Sequence, residues 1–154
     1  MKALIFLFLF GISLTWSFDP EKALNYAKKN CQYSYPIYDK LDLTSGDYSG
    51  IFTSQALYEG GAVIMWCFEW KDENFWIPRA RNLMNCLLKH QWKSSTRPPK
   101  SFRPGYPIFS KTYNQAMIFG SFNGTKVNIY GHIGNMGHCN VEFGDKDDFI
   151  YFYL

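Results

Sequence analysis

Residues 116–130, AMIFGSFNGTKVNIY, decide the fold class of this chain. Residues 116–122 and 126–130 are rich in β-branched and aromatic side chains. Between them, Asn123-Gly124 is a strong short-range hairpin signal, because both residue types tolerate the positive φ of a two-residue turn. Residues 138–143 and 149–153 have the same character and flank an acidic turn at 144–148. The C-terminal half is therefore expected to be an antiparallel sheet of four or five strands.

Upstream of this hairpin the pattern is helical. Asp19-Pro20-Glu21 starts a helix: Asp19 caps free amides, Pro20 stands where a missing donor does no harm, and Glu21 suits the positive end of the dipole. That helix is expected over 21–30. Residues 33–47, with Pro36, Ser45 and Gly46, lack helical period and read as a loop. A second helix is expected over 48–58, with Ile51, Phe52, Gln55 and Ala56 on one side, ended by Gly60-Gly61. A third, over 78–90, carries an apolar stripe of Ile77, Leu83, Met84 and Leu87. Residues 94–107 hold four prolines and read as an extended connector. Helices followed by strands make an α+β domain.

Length and composition agree with one domain. The chain has 154 residues, enough for a single core. With 47% hydrophobic residues and a net charge of +3, from 16 basic and 13 acidic side chains, it is neither disordered nor built for nucleic acid. The 14 Phe, 11 Tyr and 5 Trp are a surplus that the fold has to place.

The N-terminus reads as a secretory signal peptide over residues 1–17. Lys2 is followed by an apolar run over 3–11, and Thr15 and Ser17 are the small residues before a cut at Phe18. The run is too short to span a bilayer. The mature domain, 18–154, is expected to be secreted or lumenal, free of membrane and monomeric. In an oxidising compartment Cys31, Cys67, Cys86 and Cys139 read as two disulfides, whose three possible pairings the sequence does not separate. The preferred pairing joins Cys67 to Cys86, around a Trp-rich stretch, and Cys31 to Cys139, between the first helix and the last strands. Asn123-Gly124-Thr125 is a glycosylation acceptor.

The stretch GDYSGIFTSQALYEGG, residues 46–61, resembles a segment of the secreted amidase-domain family, which has a papain-like cysteine amidase fold. In that family a catalytic Cys opens a helix that ends in paired glycines. ALNYAKKNC, WIPRARNLMNCLLKHQW, RPPKSFRPGYPIF and NQAMIFGSFNGTKVNIYGHIGN resemble its first helix, third helix, connector and central hairpin, in that order. The resemblance implies a papain-like arrangement. It implies chemistry in which a thiolate, activated by a helix dipole and a facing His, attacks an amide carbonyl.

Residue by residue, this sequence departs from that pattern. Alignment on Phe52-x-Ser54-Gln55-Ala56-Leu57 puts Ser49 at the Cys position, and alignment on Gly46-Asp47 puts Tyr48 there. The His position reads Gln115, and His132 stands at the third, orienting position. Gln115 cannot accept a proton at neutral pH, so the expectation is a pseudoenzyme. The alternatives are a hydrolase using Ser49 with His132 or His138, and a glycan- or peptide-binding module. Gln55 is a candidate cleft residue.

Trp66, Phe68, Trp70, Phe75 and Trp76 read either as core or as an exposed platform, with Trp70 and Trp76 as the binding candidates. The expected partners are a peptidoglycan fragment, a peptide or a glycan. His132, Asn135, His138 and Cys139 with Asp145, Asp147 and Asp148 match no standard metal pattern, so neither metal nor cofactor is expected. Lys93, Arg97, Lys100 and Arg103 read as a solvated basic strip.

Overall fold

The computed structural model of the chain describes residues 17–32, 49–64, 67, 77, 79–133 and 136–154. Residues 1–16 of the expected signal segment, the expected loop at 33–47, Tyr48, Asn135 and the cluster Trp66, Phe68, Trp70, Phe75 and Trp76 lie outside the described residues.

Helix α1 spans Pro20–Asn30. Asp19 Oδ1 accepts from the Glu21 and Lys22 amides, 2.9 and 3.3 Å away, so the expected cap is present. Lys28 and Lys29 occupy the last turn, where the dipole favours cations. Its small buried residues, Ala23 and Ala27, let it lie close against α2, Ser49–Glu59. Helix α2 is buried along Ser49 to Leu57, which makes it the central element rather than an amphipathic surface helix. The chain leaves it through Gly61, at φ +81. Helix α3, Ala80–Lys89, starts two residues later than expected and buries Leu83, Cys86 and Leu87.

The sheet has six strands, β1 Lys93–Ser95, β2 Pro107–Ser110, β3 Gln115–Asn123, β4 Lys126–Ile133, β5 Met136–Asp145 and β6 Phe149–Tyr153. Their spatial order is β1-β6-β2-β3-β4-β5, antiparallel throughout. The sequence expectation of four or five strands is corrected to six. The two unforeseen strands, β1 and β2, take residues from the proline-rich connector. Pro107 is tolerated in an interior strand because it is the first residue, where its missing donor is not needed. Pairing also reaches back past it: the Gly105 amide donates to the Phe119 carbonyl, and the Phe119 amide to the Tyr106 carbonyl. Gly105 takes φ +95, and a Cβ there would stand 1.7 Å from the Pro20 carbonyl oxygen. The start of α1 rests directly on this turn.

The helices pack on one face of the sheet, where Phe52, Ala56, Leu83, Leu87, Ala116, Ile118 and Phe152 belong to one core. A second core on the opposite face joins Ile108, Met117, Phe119, Val127, Ile129, Phe149 and Tyr151. Disulfides join Cys31 to Cys139 and Cys67 to Cys86, the preferred pairing. The first ties the end of α1 to β5, and the second ties α3 to the chain after α2. No helix among the described residues is long and apolar enough to cross a membrane.

Candidate functional site

The start of α2 and the start of β3 meet in the core. Ser49, the first residue of α2, is fully buried, and its Oγ accepts a hydrogen bond from the Ala116 amide at 2.8 Å. This bond joins residues 67 positions apart and places Ser49 beside Gln115, which is 7% exposed. In the alternation of β3, Ala116 and Ile118 pack with the helices, while Met117 and Phe119 belong to the opposite core. By period two, Gln115 falls in the second set.

His132 comes from β4 and is 2% exposed. Its ring stacks on Phe52 of α2, 4.6 Å between centroids. Nε2 lies 3.1 Å from the Cys31 carbonyl, and because a carbonyl only accepts, that nitrogen carries the proton. The Asn30 backbone engages the same ring. Burial lowers the His132 pKa, and the two backbone contacts and the nearby His138 are smaller influences. The neutral ring therefore serves the last turn of α1, where carbonyls lack partners within the helix.

His138 sits on β5, paired in register with Gly131, with its ring edge toward Phe143 at 6.3 Å. Its Nε2 is buried without a hydrogen-bond partner among the described residues, and burial lowers its pKa. Gln55 is 4% exposed, and its Oε1 accepts from the Tyr26 hydroxyl at 2.9 Å, across the contact between α1 and α2. The Tyr26 role was not read from the sequence, although its place one turn before Asn30 on α1 was legible.

The remaining candidates are spread over the surface. Asn123 is exposed in the β3–β4 turn, with its Nδ2 3.5 Å from Glu142. In the acidic turn Asp145 pairs with Lys126 at 3.0 Å, and the Asp148 carboxylate accepts from the Asp145 amide. Lys93, Arg97, Lys100 and Arg103 are all exposed.

A cavity of about 310 Å³ opens at the far end of α2 from Ser49, lined by Phe18, Val63, Lys89, His90, Gln91 and Trp92 among others. Next to it, Cys67, Cys86 and His90 bring their sulfur and ring-nitrogen atoms within 4.8 Å of one another. Sequence reading paired these cysteines but missed His90. The signal was present in the spacing of four between Cys86 and His90, which puts both on one helix face. No family model, curated protein or solved structure matches this chain.

Proposed function

We propose that this chain is a secreted amidase-like domain of papain-like architecture that has lost catalysis and binds a peptidoglycan fragment, peptide or glycan. One observation carries the loss of catalysis: Ser49 Oγ, the hydroxyl that alignment on Phe52-x-Ser54-Gln55 puts at the nucleophile position, is fully buried and occupied by the Ala116 amide. A hydroxyl attacks a carbonyl only when a base takes its proton within about 2.6–3.2 Å. Gln115 offers no such base, and His132 uses its Nε2 proton on the Cys31 carbonyl. The α+β layout and the hydrogen bond from the start of β3 to the start of α2 support the amidase-like reading.

The test is incubation of the purified mature protein with peptidoglycan and with amide substrates. Binding without product is expected. Turnover that disappears in Ser49→Ala would establish a serine hydrolase with His132 or His138 instead. Trp70→Ala and Trp76→Ala proteins that bind as well as the parent would remove the aromatic platform from the reading.

A further inference from the structure

Asn123-Gly124-Thr125 is the only Asn-x-Ser/Thr triplet in the chain. The fold places it at the β3–β4 turn, where Asn123 is the last residue of β3 and pairs with Lys126. All three residues are exposed. Beyond the register shift at Gly120, Phe122 and Val127 belong to the core away from the helices. By period two Asn123 and Lys126 then stand on the helix side. The helix-side core stops at Ile118 on β3 and Tyr130 on β4, so this end of the face is clear of the helices. The neighbours of the triplet are polar: Asn123 Nδ2 lies 3.5 Å from Glu142 Oε2, and the Thr125 hydroxyl donates to Asp145 Oδ1 at 3.2 Å. Nδ2 carries two hydrogens, and the Glu142 contact uses one. A sugar in place of the other costs the fold no hydrogen bond. Ala116, which holds Ser49, lies back along the same strand by about 23 Å at 3.3 Å per residue, so a glycan on Asn123 leaves that joint uncovered.

We propose that Asn123 is an N-glycosylation site that is filled before β5 docks; the site rests on the secretion included in the proposed function. The donor is a lipid-linked diphospho-oligosaccharide. A bond forms between its anomeric carbon and Nδ2 as the anomeric C–O bond breaks. The lipid diphosphate leaves with the bonding pair, and Nδ2 gives up one proton. The order follows from the contacts. In the finished fold the side chains of Asn123 and Thr125 face β5 carboxylates that lie 19 and 20 residues further along the chain. The turn is closed through Gly124, at φ +58, with Lys126 paired across from Asn123. An enzyme that must hold Asn and Thr of one open segment cannot do so in that state. A two-stranded hairpin on its own is marginally stable and opens again. At a synthesis rate of about 5–20 residues per second, Asp145 follows Thr125 by about 1–4 s, whereas a hairpin closes in about 1–10 μs. The triplet is therefore open many times before β5 arrives. Strand β5 then pairs along β4, and the Cys31–Cys139 bridge pins it to the end of α1.

The full chain, natural leader included, is translated in the presence of glycosylation-competent microsomes. The lumenal product is weighed before and after peptide N-glycosidase, which leaves Asp at a freed site. Expected is one glycan per chain, on Asn123. Asn123→Gln and Thr125→Ala should lose it, and Thr125→Ser should keep it. Transfer that precedes folding is read whether or not a variant goes on to fold. Protein already folded, with both disulfides formed, should stay bare when added to opened microsomes. A second set of chains enters the lumen behind a foreign leader, which separates the site from the secretion it rests on. A glycan there but not behind residues 1–17 supports the site and removes secretion by the natural leader. A bare lumenal chain behind the foreign leader, or a glycan that persists in Asn123→Gln, overturns the site. Modification of the folded protein as complete as that of the nascent chain overturns the order.

Discussion

Ser49→Ala tests whether the nucleophile position has become a structural joint. The substitution leaves the helix backbone intact and removes one oxygen, which accepts the Ala116 amide at 2.8 Å. Ala116 and Ser49 are both fully buried, so no solvent can replace the lost acceptor. An orphaned buried donor costs about 1–3 kcal/mol. For a domain of this size each kcal/mol lowers Tm by about 3–4 °C, so the expected fall is about 3–12 °C. Ser54→Ala is the comparison within the same helix. The Ser54 hydroxyl donates to the Ile51 carbonyl at 2.9 Å and meets the Ile77 amide only at 3.4 Å. Its loss should cost about 1 kcal/mol or less. Urea unfolding followed by tryptophan fluorescence reads both. If Ser49→Ala unfolds within about 0.5 kcal/mol of the parent, or no lower than Ser54→Ala, the joint does not exist and Ser49 is free for other work.

Replacing both Cys31 and Cys139 with Ser opens a loop of 108 residues, for which chain entropy gives about 4.8 kcal/mol, against about 3.2 kcal/mol for the loop of 19 closed by Cys67 and Cys86. The order of the two denaturation midpoints checks this. His132 and His138 both have pKa values lowered by burial, so the unfolded chain binds their protons more readily. Stability should be fully present above about pH 6.5 and fall as pH drops below that value, and His132→Gln should flatten part of this slope in a urea series from pH 8 to pH 5. Gly105→Ala drives a methyl against the Pro20 carbonyl at a φ of +95 and should cost about 3 kcal/mol or more, visible as loss of soluble folded protein.

The helices were legible because their signals are local. Asp19 needs only the next three residues to cap α1, and Gly61 only the preceding turn to end α2. The β3–β4 hairpin was legible for the same reason, through Asn123-Gly124. Strands β1 and β2 were not, because they exist through partners far along the chain: Lys93 pairs with Tyr153, and Ile108 with both Met117 and Tyr151. Four prolines made that segment look unfit for a sheet, and local propensity cannot weigh a ladder that β6 completes. The site shows the same division. The resemblance aligned Ser49 and Gln115 with the family's Cys and His positions, but it could not reveal that the Ser49 hydroxyl faces a backbone amide, or that His132 would serve the Cys31 carbonyl about a hundred positions away.

Part of the aromatic surplus lies in the helix-side core, with Phe52, Trp92, Tyr106, Phe109, Tyr130 and Phe152, and part covers the second face of the sheet. Helices cover one face, and the other needs a cover of its own. Phe102, in the proline-rich connector, lies 5.1 Å from both Phe119 and Tyr151, and Phe122 lies 4.5 Å from Phe119. Phe143 closes on Phe149 at 6.4 Å. The register of β3 shifts at Gly120, and that of β5 at Asn140, which takes φ +54, a conformation that Asn accepts more readily than most residues. A Cβ on Gly120 would stand 3.0 Å from the Tyr130 ring and 3.3 Å from the Asn140 side chain, so the two irregularities sit against each other and sharpen one curl. Large rings cover this face, each burying about 150–250 Å². The prolines around Phe102 limit the freedom of its backbone in the unfolded chain, so seating that ring against Phe119 and Tyr151 costs less entropy than it would from a flexible loop.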